Sequence, residues 1–167
     1  MSEAPKKCNA FTIEYPGIMR QLRSPAKISS GDRIVDARGL WDTGASCTCI
    51  SYSMADQLGL IPTGNQIIQT PSGKKTCNTY VVNLHLPNNV KINDVPVCDS
   101  DIGDQGVDVL IGMDIISFGD FAVSNYDRKT VVTFRMPSQK VTDFYKQQIM
   151  ENAIGQRHGK GLKKKKR

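Results

Sequence analysis

The 167-residue sequence predicts an all-β fold with a few short helices and one C-terminal amphipathic helix. Three observations lead there. From about Phe11 to Arg135 the chain is a run of short segments rich in Val, Ile, Thr and Tyr, residues that suit a pleated, half-buried surface. Turn formers separate these segments at SSGD (29–32), TPSGKKT (70–76), PNNV (87–90) and NYDRK (125–129), where Gly, Pro, Asn and Asp reverse the chain at low steric cost. After Pro137 the apolar period lengthens: Val141, Phe144, Tyr145, Gln148, Ile149 and Ala153 fall along one helical face,.

Taken in order, SSGD joins a strand near 18–28 to one over 33–41. Ser53 is placed to cap a short helix, MADQLGL, with Gly59 near its end,. The segments NQIIQ and CNTYVVNLHL flank Pro-Ser-Gly and form a hairpin,. An apolar run, Asp108 to Gly112, precedes a helical turn near 113–118, and NYDRK joins DFAVSN to TVVTFRM. The expected organisation is a flexible N-terminus over 1–10, one domain over 11–136, a helix over 137–155 and a disordered basic tail over 156–167.

Composition narrows the class of function. No apolar stretch approaches the ~18 residues of a spanning helix, and MSEAPKKCNAF carries no signal-peptide pattern,, so no transmembrane segment and a cytoplasmic location are expected. Five cysteines (Cys8, Cys47, Cys49, Cys77, Cys98) are an odd number without framework spacing, which predicts reduced thiols. Cys47 and Cys49 have no second Cys or His pair at zinc-site spacing, so they read as small residues packing along a strand; no metal and no cofactor are expected. The net charge of +6 belongs to the tail: seven of the 22 basic residues lie from Arg157 onward, leaving fifteen against 16 acids before it. Such a tail has three open readings: a hold on nucleic acid or an anionic surface through counterion release, a localisation signal, or a solubilising end.

The chemistry-bearing stretch is LWDTGASCTCI, 40–50. An apolar run ends on Asp42, and Thr43, Gly44, Ala45 and Ser46 follow. Asp-Thr-Gly alone reads as a surface turn; entry from one apolar segment and exit into another place the carboxylate in a cleft instead, with small neighbours that let backbone approach closely. The second stretch is GVDVLIGMDII, 106–116, a strand ended by Gly112.

In this order, LWDTGAS, the helix SMADQLGL, the hairpin around TPSGKKT and VDVLIGMDII resemble the retropepsin family of aspartic proteases over roughly residues 15–135. The resemblance implies a small closed, mostly antiparallel β barrel that forms half of an active enzyme. One Asp-Thr-Gly per chain then calls for a homodimer, with Asp42 of each chain forming the catalytic dyad that hydrolyses a peptide or protein substrate. It further implies that Thr43 bonds across the dimer and that the Gly44 backbone binds carboxylate or substrate. Leu110, Ile111 and Gly112 would support the catalytic loops, and Ala45 and Ser46 would line the groove. The tip Pro71, Ser72, Gly73, Lys74 would act as a flap. Family members often pair an acid at the position of Ser46 with an arginine at that of Met113; both are missing here, so that brace is lost without stranding a charge. The helix after Ser138 is expected to supply dimer interface instead. Two other readings exist: a non-catalytic dimeric binding module of the same fold with a nucleic-acid-binding tail, and a nucleic-acid-binding protein with an incidental Asp-Thr-Gly.

Overall fold

A computed structural model of the chain describes residues 9–70 and 73–163, with backbone alone at Thr70 and over 155–163. Ten strands and three α-helices follow one another in the described chain: β1 (Ala10–Glu14), β2 (Leu22–Ser30), β3 (Arg33–Trp41), β4 (Cys49–Ser51), α1 (Tyr52–Leu58), β5 (Gly64–Thr70), β6 (Gly73–His85), β7 (Lys91–Ser100), β8 (Val109–Ile111), α2 (Met113–Ile116), β9 (Asp120–Ser124), β10 (Val131–Arg135) and α3 (Phe144–Lys163).

The larger sheet runs β2-β3-β8-β4-β7-β6-β5, and β6 also pairs with β2 through Lys27↔His85 to Ser29↔Asn83. That pairing closes six strands into a barrel and removes the free edges an open sheet would leave; β5 stands outside the ring, bonded to β6. Most ladders are antiparallel, as expected, but β3–β8 and β4–β7 are parallel. Ile28, Ile50, Leu84, Val109 and Ile111 fill the interior with almost no exposure.

Local chemistry explains the connections. Gly31 at φ +54° turns β2 into β3 with only Gly31 and Asp32 between the paired Ser30 and Arg33. Asn88 and Asn89, both left-handed, turn β6 toward β7, as the tightest hairpins require of both central residues. α1 is capped by Ser51, whose hydroxyl accepts from the Met54 N–H at 3.2 Å, and not by Ser53, which lies inside the helix. Gly59 ends α1 at φ +60°, as its position in the sequence implied.

A three-stranded sheet, β1-β10-β9, flanks the barrel. Trp41, bulkier than the motif needs, joins the two. Its ring stacks on Phe121 at 5.1 Å and lies 6.0 Å from Phe11 and 5.2 Å from Phe134, while its Nε1–H donates to Ser24 Oγ at 3.0 Å. Burying such a ring stabilises by about 3–5 kcal/mol relative to Ala, so the residue before Asp42 ties β3 to the second sheet.

The C-terminal helix starts later and runs further than the sequence implied. Asp143 caps it, accepting at Oδ1 from the Lys146 N–H at 3.0 Å, which moves the start to Phe144. The helical backbone continues to Lys163 through part of the stretch expected to be a disordered tail; residues 164–167 and 1–8 lie outside the described residues. The apolar side chains Phe144, Tyr145, Ile149 and Met150 are all exposed within the chain.

Candidate active site

β3 carries the chain out of the barrel core at Trp41 and delivers Asp42 half-buried at its end. The Asp42 N–H donates to the Ile111 carbonyl at 3.0 Å, continuing the β3–β8 ladder by one bond. Its carboxylate Oδ1 accepts from the Gly44 N–H at 2.8 Å, and its carbonyl accepts from the Ala45 N–H at 3.2 Å. Asp42 therefore folds its own loop, and a side chain at Gly44 would place Cβ 3.1 Å from the carboxylate oxygen. The small residue keeps that oxygen approachable.

β8 lies between β3 and β4, parallel to the first and antiparallel to the second. The loop from Asp42 to Thr48 consequently arches over the end of β8, where Gly112 crosses behind it. A Cβ on Gly112 would sit 2.7 Å from both the carbonyl carbon and oxygen of Cys47, closer than any side chain tolerates. Three attachments pin the arch. Met113 N–H donates to the Ala45 carbonyl at 2.8 Å, Gly112 N–H donates to Thr48 Oγ1 at 3.1 Å, and Asp114 accepts from the Thr48 N–H and hydroxyl at 2.9 and 2.8 Å. Thr48 and Asp114 are positioning residues that the sequence reading did not assign; the only signal was the acid two residues after Gly112.

The arch forms one wall of a cleft of about 980 Å³, roofed by β5 and bounded below by residues 100–107. Asp42, Gly44, Ala45, Ser46 and Leu110 line it. Ile111 points the other way into the core, Gly112 packs behind Cys47, and exposed Thr43 lies beside the cleft rather than in its lining. On the hairpin, Lys75 reaches the cleft while Gly73 and Lys74 do not line it; Pro71 and Ser72 lie outside the described residues. Gln66, Ile67, Ile68 and Gln69 of β5, with Asp101 and Gln105 across from them, complete the lining and were not singled out in the sequence. A smaller hollow of about 490 Å³, between β2 and the 85–91 turn, contains one carboxylate, Asp36, which is paired with Lys27 at 2.9 Å.

Two nearby acids, Asp108 and Asp99, are committed to structure. Asp108 takes Arg38 through both oxygens, at 2.8 Å from Nε and 3.1 Å from a terminal nitrogen, and also accepts the Arg38 N–H. The guanidinium bonds hold the Asp108 carboxyl below its ordinary range and raise the Arg38 pKa in return. Buried Asp99 accepts from the Asn78 N–H, the Asn78 side-chain amide and the Tyr80 hydroxyl at 2.8–2.9 Å. Burial, then this carboxylate, push the Tyr80 phenol up.

A closed six-stranded barrel with an Asp-Thr-Gly turn over a Gly-ended inserted strand is the framework of a retropepsin-like aspartic protease. Residues 25–115, more than half of the chain, match the aspartyl protease family, and the chain belongs to it. No curated protein matches the chain in sequence. Among solved structures, the fold is similar to a retropepsin-like aspartic protease from Rickettsia conorii, at 16% identity over 76% of this chain and 94% of that one, with a TM-score of 0.52. It is also similar to the protease of Simian Foamy Virus (mac), at 19% identity over 57% and 91% with a TM-score of 0.43. A third likeness is the retroviral protease-like domain of Ddi1 from Leishmania major, at 15% over 63% and 82%, TM-score 0.45. The retropepsin-like fold read from the motifs is thus the observed one. No helix among the described residues is long and apolar enough to cross a membrane.

Proposed function

We propose that the protein is an aspartic endopeptidase that works as a homodimer, with Asp42 of each protomer forming the catalytic dyad. One observation carries this reading: Asp42 lies at the wall of a long open cleft with a single in-chain hydrogen bond to its carboxylate, from Gly44, among the described residues. A lone carboxylate cannot act as base and acid at once, and a second copy related by a two-fold axis supplies the other.

Two such carboxylates share one proton, because like charges a few ångströms apart do not both ionise cheaply, as is general for aspartic-protease dyads. The ionised Asp42 takes a proton from a water whose oxygen attacks the scissile carbonyl carbon. The protonated partner donates to the carbonyl oxygen, giving a gem-diol. Breakdown transfers a proton to the amide nitrogen and breaks the C–N bond, releasing a carboxylic acid and an amine. The Gly44 N–H leaves one Asp42 oxygen oriented for this work. β5 presents a hairpin under which an extended peptide can add as a strand, main-chain bonds holding it and side pockets selecting it.

The test is cleavage of a diverse peptide library, read by mass spectrometry from pH 4 to 8 beside Asp42→Asn. Cuts that vanish in the variant are the expected result. A dimer that makes no cuts at any pH would replace the enzyme with a binding module of the same fold.

A further inference from the structure

Four of the five cysteines, scattered in sequence, converge beside the cleft. Cys49 on β4 and Cys98 on β7 are partners across the parallel ladder, both buried, with sulfurs 3.2 Å apart. Half-buried Cys47 joins them from the end of the catalytic arch, and the three sulfurs all lie within 4.8 Å of one another. Cys77 on β6 packs into the same cluster beside Cys98, its thiol donating to the Gln66 carbonyl at 3.5 Å. All four are free thiols.

We infer that Cys47, Cys49 and Cys98 form a binding site for a thiophilic metal ion, with Cys77 packed beside it. Sulfurs bound to one zinc ion at about 2.3 Å stand about 3.8 Å apart in a tetrahedral set. The observed separations, 3.2 Å for Cys49 and Cys98 and within 4.8 Å for all three, bracket that value. The donor set is sulfur alone, since the nearby carboxylates are spent: Asp114 on Thr48, Asp99 on Asn78 and Tyr80. An all-sulfur set selects soft or borderline ions over magnesium and calcium. Cys47 and Cys49 line the cleft, which gives an ion its path of entry.

Binding must displace protons. The step is M²⁺ with three thiols giving a tris-thiolate complex of charge −1 and three released protons, and occupancy falls as pH falls. An ion there would tie the catalytic arch, β4 and β7 together. Resting on the protease reading, this predicts slower peptide cleavage in the bound form.

The full-length protein, kept reduced with a phosphine, is titrated with Zn(II) against a chromophoric chelator and with Co(II) as an optical probe. Expected are one ion per chain, a thiolate-to-cobalt charge-transfer band, and about a hundredfold weaker binding in Cys98→Ser and in the cleft-facing Cys47→Ser. Asp42→Asn should bind as tightly as the parent, which separates this site from the dyad and keeps the result independent of whether the protein cuts peptides. Binding that survives Cys47→Ser and Cys98→Ser in folded protein, or a cobalt spectrum without sulfur ligation, would overturn the proposal. So would absence of binding by the reduced protein together with a Cys49–Cys98 disulfide, seen as loss of two hydrogens after peroxide treatment.

Discussion

Asp42 stands on the arch and Asp114 on helix α2 behind it, and both are half-buried. Exposure does not distinguish them; their partners do. Asp114 accepts the Thr48 N–H and hydroxyl and the Ile115 N–H. Asp42 accepts at its carboxylate only the Gly44 N–H among the described residues and faces the cleft with the rest of its capacity. A saturated carboxylate holds structure, whereas one left open at a cleft has lone pairs for a water, a proton or a second carboxylate. The difference lies in what each segment spends on itself.

Substitutions sharpen this contrast, beginning with the largest effect. Asp42→Asn should lower peptide cleavage by about a thousandfold or more while leaving the thermal midpoint nearly unchanged, since the Asn side-chain oxygen can still accept the Gly44 N–H,. Gly112→Ala should do the reverse first: its Cβ meets Cys47 backbone at 2.7 Å, so stability should fall by about 1–3 kcal/mol in urea unfolding, with activity lost as the arch shifts. Asp114→Ala leaves the Thr48 N–H and hydroxyl unpaired at a residue 1% exposed, and should cost about 1–3 kcal/mol. If Asp114→Ala abolished cleavage without destabilising the fold, the division between the two acids would be wrong.

A smaller effect depends on pH. The folded Asp108 carboxyl lies below its ordinary value because of Arg38, so the unfolded chain binds the extra proton as pH falls. The pair stabilises fully above the ordinary carboxylate range of about 4 and loses that contribution as pH drops through the depressed folded value. Arg38→Ala should lower the unfolding midpoint at pH 7 and converge with the parent in strong acid. The smallest expected effect on the fold is removal of residues 143–167, which spares the bonds from Ser138 and Gln139 to Asp120. Phe144, Tyr145, Ile149 and Met150 are exposed within the chain, so the barrel's midpoint should hold while sedimentation shows weaker self-association; a tight active dimer without the helix would exclude it from the interface.

The turn at Asp42 was legible in the sequence because its constraints are local: a carboxylate, a glycine two residues on, and small neighbours. The hairpins were legible for the same reason, from Gly31 and the Asn88-Asn89 pair. What stayed hidden depends on distant pairing. No local pattern announces that three-residue β8 inserts in parallel beside β3, or that Thr48 would meet Asp114. On β8 and β6 the lining of the cleft follows strand alternation: Leu110 faces it while Ile111 enters the core, and Lys75 reaches it while Lys74 does not, whereas four consecutive β5 residues, 66–69, line it. The cap at Ser51 rather than Ser53 turned on a two-residue shift between equivalent hydroxyls. Trp41 was opaque because its partners, Phe11, Phe121 and Phe134, lie far from it in sequence.

The central claim is that activity needs one Asp42 from each of two chains. Mixing parent protein with an equal amount of Asp42→Asn, allowing subunits to exchange, tests it most directly. With random pairing only about a quarter of dimers keep both carboxylates, so cleavage per parent chain should fall by about half, and further with excess variant. Activity per parent chain that stays constant across the mixing series, with exchange verified, would contradict the shared dyad.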